Sequence, residues 1–165
     1  MITGSIASSY HGEPRSTQDI DVVIDPSADQ LRTFIRELVE GTYYVDADVA
    51  EAALLQRTQF NAIAPDASKV DLIIRKDRPF SVTEFNRRRR ADLLGTRGSL
   101  VTADDLVLAK LEWAQASGSD RQLHDIAGIL VMDRGLDQGY IDHWANELGV
   151  SEAWRQLKDA SDQTA

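Results

Sequence analysis

Apolar and polar positions change period several times along the chain, and each change marks an element. Asp19-Ile-Asp-Val-Val-Ile24 alternates, is rich in β-branched residues and stops at Asp25-Pro26, so it predicts a strand. Leu31, Phe34, Ile35, Leu38 and Val39 then recur at helical spacing, with Ser27 placed to cap a helix over Ala28 to Glu40 and Gly41 to stop it. A second short helix is predicted over 48–57. The apolar run Phe60 to Ala64 and the β-branched run Lys69 to Arg75, split by Pro65-Asp66-Ala67-Ser68, predict a hairpin. Upstream, Gly12-Glu13-Pro14 breaks a weakly helical stretch from Ile6 to Tyr10. Downstream, a helix is predicted over Ser81 to Arg90, after Pro79. Thr102 with Asp105 suggests a capping box, and from there the pattern is helical throughout. Leu106, Leu108, Leu111 and Trp113 belong to one helix, and Leu123, Ile126, Ala127 and Leu130 to another capped by Ser119. Residues 140–148 and 152–158 supply two more. Trp113, Trp144 and Trp154 are expected in packing.

Strand, helix, strand pair and then a run of helices is the signature of an α+β fold: a mixed sheet with flanking helices and a C-terminal helical cluster. The expected division is 1–101 for the α/β core and 102–165 for a helical part packed on it. A chain of 165 residues buries roughly 70% of its unfolded surface on folding, enough for a core without covalent staples. It has no cysteine, which excludes disulfides, thiolate nucleophiles and cysteine-ligated metals. No basic leader precedes an apolar stretch, and no apolar run approaches the ~18 residues of a membrane span, so no membrane partner and a cytoplasmic location are expected. The net charge of −9 opposes broad binding to nucleic acid. One segment departs from it: Arg75, Lys76, Arg78, Arg87, Arg88, Arg89, Arg90 and Arg97 face only three acids between Arg75 and Arg97.

The chemistry lies in carboxylates. Asp19 and Asp21 are two apart on a predicted strand and so project to one face, where they repel unless a cation sits between them. Asp71 lies on a second predicted strand, sharing a face with Ile73. A third carboxylate there completes an oxygen-only donor set for one or two Mg²⁺ ions, the arrangement used for in-line phosphoryl or nucleotidyl transfer. Gly4-Ser5 stands at a loop-to-helix junction, which offers backbone N–H groups and a hydroxyl to a phosphate. The three histidines are scattered without metal-ligand spacing, and Walker A, G-x-G-x-x-G and nucleophile-elbow patterns are absent from the sequence.

Gly4-Ser5, then Arg15-x-Thr17-x-Asp19-Ile20-Asp21, then Lys69-Val70-Asp71, resembles the minimal nucleotidyltransferase fold. The tail Asp104-Asp105-Leu106-x-x-x-Lys110-Leu111, followed by Arg121-x-x-x-Asp125-Ile126, resembles its AbiEii-like branch of toxin nucleotidyltransferases. The resemblance implies an enzyme that uses Mg²⁺ to transfer a nucleotidyl group from NTP to a hydroxyl on an RNA end, a protein or a small molecule. It further implies the toxin of a toxin–antitoxin pair, with a cognate antitoxin. Asp19, Asp21 and Asp71 would hold the metal, with Asp71 also the base. Gly4, Ser5, Arg15 and Thr17 would contact the nucleotide, Lys110 its phosphates, and Asp125 would fix Lys110 or the nucleotide. Other readings stand beside these. Lys110 fits a snorkelling surface lysine, Arg121 and Asp125 a surface i, i+4 pair, and the whole chain an inactive nucleotide- or partner-binding module. The basic segment from Arg75 to Arg97 is where an RNA acceptor would lie, unless it is a solvated helix face. Only Met1, Ile2 and Thr3 precede Gly4, where the resemblance implies a full strand. A late start would leave a strand edge open beside the metal site and favour a homodimer.

Overall fold

The computed structural model describes residues 1–14, 16–17, 19–93, 95–133 and 135–162. The chain divides into two compact units, Met1–Ile6 with Ser16–Leu100 and Ala7–Arg15 with Val101–Ala165. Helix α1 (Gly4–His11) begins in the first and ends in the second. Residues 7–14, expected within the α/β core, therefore go with the helical unit. Among the described residues no helix is long and apolar enough to cross a membrane.

The first unit continues with β1 (Asp19–Ile24), α2 (Ala28–Glu40), β2 (Tyr44–Val45), α3 (Ala47–Gln56), β3 (Gln59–Ile63) and β4 (Lys69–Ile74). The strands form a mixed sheet in the order β1-β4-β3-β2. β1 and β4 are parallel; β3 is antiparallel to both its neighbours. Parallel pairing needs a long return connection, and α2, α3 and β3 lie within it. Phe60, Ala62, Leu72 and Ile74 point to one face and pack with Leu31 and Ile35 of α2 and Ala50 and Ala53 of α3. Burial of this kind contributes about 1.5–3 kcal/mol per large side chain. The α2 register is set at its start. Ser27 Oγ accepts from Gln30 N at 3.3 Å and Gln30 Oε1 accepts from Ser27 N at 2.8 Å, a reciprocal cap of about 1 kcal/mol. Val39, assigned to the apolar stripe by spacing, is 53% exposed.

The basic segment folds differently from its expected helix. α4 (Pro79–Arg87) ends early, and β5 (Arg89–Leu93) and β6 (Thr96–Leu100) follow as an antiparallel hairpin. Gly95 takes φ +82 at the turn, and its N–H is accepted by Asp92 Oδ1 at 2.8 Å. A positive φ favours glycine. Alternation then divides the hairpin: Ala91, Leu93, Gly98 and Leu100 lie on one side and Arg90, Asp92, Arg97 and Ser99 on the other.

Met1–Thr3 lies between this hairpin and β1. Val23 N donates to Met1 O at 2.8 Å and Thr3 N to Asp21 O at 3.0 Å, while Ile2 N donates to Ser99 O of β6 at 2.7 Å. Ile2 bridges Val22 on one side and Leu100 on the other. The Met1 ammonium donates to Val23 O at 2.8 Å, and burial, then the charge of Arg88, lowers its pKa. The β1 edge, expected open, is thus paired with residues 1–3.

The second unit is helical: α5 (Ala103–Ser117), α6 (Asp120–Met132), α7 (Gln138–Glu147) and α8 (Ser151–Asp162). Leu106, Leu108, Leu111, Ile126, Ile129, Ile141 and Trp154 form its buried interior. Thr102 Oγ1 accepts from Asp105 N at 3.3 Å, and its hydroxyl donates to Asp105 Oδ2 at 2.6 Å. The other Asp105 oxygen accepts from Tyr140 Oη at 2.5 Å, tying the α5 start to α7. His11 Nε2 lies 2.8 Å from Val101 O, which holds the end of α1 to this unit. Two expectations fail here. Ser119 precedes α6 but makes no side-chain cap, and Trp113 is 60% exposed rather than packed.

Candidate active site

The β1–β4 register brings the sequence's acidic residues to one face. Asp21 is paired with Asp71 and Asp19 with Lys69, and partners in a parallel ladder point the same way. Asn61, opposite Asp71 on β3, shares that face. Apolar partners 70, 72 and 74 take the other side, so the packing of Leu72 and Ile74 is what fixes the carboxylates in place. Asp71 is 9% exposed, whereas Asp19 is exposed.

Gly4 opens α1 next to this ladder. It has φ +59, and a Cβ there would fall 1.9 Å from Asp21 Oδ2 and 2.9 Å from Asp21 Cβ. Only glycine lets the start of α1 approach the Asp21 side chain so closely. Gly4-Ser5 and Asp21 are therefore juxtaposed, as a phosphate cradle beside an acidic pair requires. Thr17 donates from Oγ1 to Asp19 O at 3.3 Å, so its hydroxyl braces the backbone at the start of β1. Arg15 lies outside the described residues.

Among the described residues no three acidic or histidine side chains are already gathered as a metal cluster. A cation of the chain already stands at this face: Lys69, whose Nζ is 3.1 Å from Asp71 Oδ2. Its pKa is raised, first by the hydrogen bond and charge of Asp71, then by the charges of Asp19 and Asp21. The other oxygen, Asp71 Oδ1, is buried with no hydrogen-bond partner. A buried carboxylate oxygen with no partner is costly unless something binds it. An orphaned oxygen on a face with two more carboxylates fits a hard divalent cation such as Mg²⁺. Asp19, Asp21 and Asp71 are the residues that would hold it. The resemblance implies no role for Lys69, although strand alternation from Asp71 places it on the acidic face.

Lys110 and Asp125 belong to the second unit and bond to each other there. Lys110 Nζ donates to Asp125 Oδ2 at 2.7 Å and to Gln122 Oε1 at 2.9 Å, and both charged side chains are almost wholly buried. Lys110 is thus no snorkelling lysine, and Asp125 bonds with it across α5 and α6 rather than serving only as a surface partner of Arg121.

The basic segment is only partly available to a ligand. Arg75 Nε donates to Asp25 Oδ2 at 2.9 Å and its Nη2 lies 3.2 Å from Asp77. Arg78 donates to Ser81 Oγ at 2.9 Å, and Arg88 donates to Phe85 O while lying over the Phe85 ring. Arg90 and Arg97 line an open recess on the hairpin with Asp92 and Ser99.

No protein-family model matches the chain, and no curated protein matches it. Solved structures do. A lincomycin-bound lincosamide antibiotic adenylyltransferase, LnuA, superposes with a TM-score of 0.51 at 11% identity, over 79% of this chain and 84% of that one. An antigenic nucleotidyltransferase-like protein from Paracoccidioides brasiliensis gives a TM-score of 0.49 at 19% identity, over 79% of this chain and 65% of its own. The mixed sheet with parallel β1 and β4 and flanking helices is the nucleotidyltransferase fold.

Proposed function

We propose that this chain is a divalent-metal-dependent nucleotidyltransferase that transfers a nucleotidyl group from NTP to a hydroxyl. The observation that carries the reading is the shared face of Asp19, Asp21 and Asp71, with one buried Asp71 oxygen unpartnered. In the reaction the acceptor oxygen bonds to the α-phosphorus, the bond from that phosphorus to the bridging oxygen breaks, and pyrophosphate leaves. The Asp71 carboxylate takes the acceptor's proton, which raises the nucleophilicity of the oxygen. Gly4 and Ser5 hold the phosphates with N–H groups and a hydroxyl, fixed before reaction by the close approach of α1 to Asp21. Asp19, Asp21 and Asp71 would hold the metal, which when bound would neutralise charge developing on the phosphate oxygens.

The acceptor is an RNA end, a protein side chain or a small hydroxyl compound; the adenylyltransferase neighbour, crystallised with lincomycin, supports the last as an arm of the test. The AbiEii-like toxin reading rests on Lys110 and Arg121-x-x-x-Asp125, and brings a cognate antitoxin as partner. Lys110 and Asp125 of that motif are bonded to each other. The alternative, an inactive binding module, has one observation in its favour: an ammonium already sits on Asp71.

Incubation with each α-labelled NTP, Mg²⁺ and separate pools of RNA, protein and aminoglycoside- or lincosamide-like hydroxyl compounds decides between them. Label should move to one pool, stop with EDTA and be abolished by Asp71→Asn. Binding of Mg-NTP with no transfer to any pool would establish the inactive module instead.

A further inference from the structure

Lys69 places a positive charge where the proposed chemistry needs a metal. It stands two residues before Asp71 on β4 and opposite Asp19 in the ladder, so all four charged side chains, with Asp21, share one face. Without a cation the three carboxylates repel one another, and the Lys69 ammonium, which feels the charge of all three, offsets part of this repulsion. The contact is one-sided. Lys69 Nζ meets Asp71 Oδ2 at 3.1 Å, while Oδ1 is left buried without a partner.

Lys69 is also built to leave. Its side chain is 39% exposed, against 12% for Asp71, and lysine is a point charge on a flexible four-carbon stem. A divalent ion bound at about 2.0–2.1 Å from a carboxylate oxygen brings a second positive charge beside the ammonium. Two cations on one carboxylate repel, so they compete for it.

We propose that Lys69 is a displaceable counter-ion of the metal site, which holds Asp71 in place in the metal-free protein and gives it up when a divalent cation binds. This rests on the nucleotidyltransferase reading of the face. It gives the free protein a lower metal affinity than its three carboxylates alone would confer. Metal arriving with a nucleotide has the advantage, because the polyphosphate brings the negative charge that compensates the ammonium as well.

The test is Mn²⁺ binding to the nucleotide-free protein, followed by the loss of the free-ion paramagnetic signal, for wild type, Lys69→Met and Lys69→Arg. Removing the ammonium should tighten Mn²⁺ binding by about tenfold, the effect of a charge a few ångströms away at the water-like dielectric that suits so exposed a lysine. Lys69→Arg, whose fork grips a carboxylate through two bonds, should bind no tighter than wild type. In EDTA, Lys69→Met should melt below wild type and recover with added Mg²⁺. Equal Mn²⁺ affinity in wild type and Lys69→Met, or weaker binding in Lys69→Met, overturns the counter-ion role and leaves the nucleotidyltransferase reading standing. Absence of Mn²⁺ binding in all three, with NTP added as well as without it, overturns both. Should Lys69→Met fail to fold by circular dichroism, the Arg variant decides: affinity clearly above wild type contradicts the proposal, and affinity at or below it agrees.

Discussion

Gly4 is the residue on which the geometry of the acidic face turns. Its φ of +59 already disfavours any side chain, and an added methyl would sit 1.9 Å from Asp21 Oδ2 and 2.9 Å from Asp21 Cβ. The nearer atom can swing away but the Asp21 Cβ cannot, so the helix start or the strand must move. Gly4→Ala should cost about 1–3 kcal/mol in urea denaturation, and should lower nucleotidyl transfer by far more than that loss of stability accounts for. Wild-type stability and rate in this variant would show that the close approach is dispensable. Lys110 and Asp125 make a different kind of case. Removing one member of a buried pair strands the other charge, at about 3–5 kcal/mol, whereas replacing both by apolar residues is often neutral. Lys110→Met and Asp125→Leu should each destabilise strongly, and the double variant should regain most of the loss. A nucleotide role for Lys110 predicts in addition that the rescued double variant binds NTP more weakly by about 1–3 kcal/mol; unchanged affinity would make the pair purely structural.

Elements with a strong period were legible. β1, α2 and β4 fall within a residue of their expected bounds because each has one buried face and one polar face, and α2 has its cap residues in place. The shared face of Asp19, Asp21 and Asp71 follows from the same alternation. The ion pair on that face was harder to see, since a strand pattern gives the side of a residue but not which oxygen its neighbour takes. The β5–β6 hairpin was missed for a physical reason. Four arginines in succession mask an alternation in which Ala91, Leu93, Gly98 and Leu100 are the inward positions, and the turn signal is reduced to Gly95. Its consequence for ligands is specific. Arg90 and Arg97 project on the side opposite Ala91 and Leu93, and neither forms an ion pair among the described residues, so an RNA lying on that side of the hairpin would meet them. Replacing both by Gln should weaken binding to a short RNA and reduce the slope of log affinity against log salt by up to about 2, whereas Arg75→Gln should leave the slope unchanged. Salt-insensitive RNA binding in the wild type would remove this surface from the acceptor's path. Arg75 has another duty, at the ends of β1 and β4. Burial pushes the Asp25 carboxyl up, but hydrogen bonds and charges from Arg75 and Arg57 outweigh it and hold its pKa below the usual 3.8. A lowered folded pKa stabilises the fold above the unfolded value, and that stabilisation fades as pH falls through the folded one. Asp25→Asn should therefore lower the melting temperature at pH 7, by an amount near 1 kcal/mol or less for so accessible a network. The gap to wild type should close as pH falls well below 3.8; a gap that persists there would mean that Asn disturbs packing rather than charge.

The charge of the whole molecule works against its proposed substrates at long range. With 27 acidic and 18 basic side chains the net charge is −9, so a nucleoside triphosphate or an RNA approaches through a repulsive field and is attracted only near the few exposed cations. The Debye length is about 30 Å at 0.01 M salt and about 8 Å at 0.15 M, which separates the two effects. Adding salt removes the long-range repulsion first, while short contacts such as Arg90 with a phosphate still lose their counter-ion advantage. The two ligands should then respond in opposite directions. Association of a fluorescent Mg-NTP, followed by stopped flow, should become faster as salt rises from about 20 to about 150 mM, because the whole-molecule field dominates its approach. The equilibrium affinity for a short RNA held by the hairpin should fall over the same range. A nucleotide association rate that falls with salt would mean that local cations, Lys69 among them, set the field at the mouth of the site. In that event Lys69→Met should abolish the salt dependence, a result that the net charge alone cannot produce.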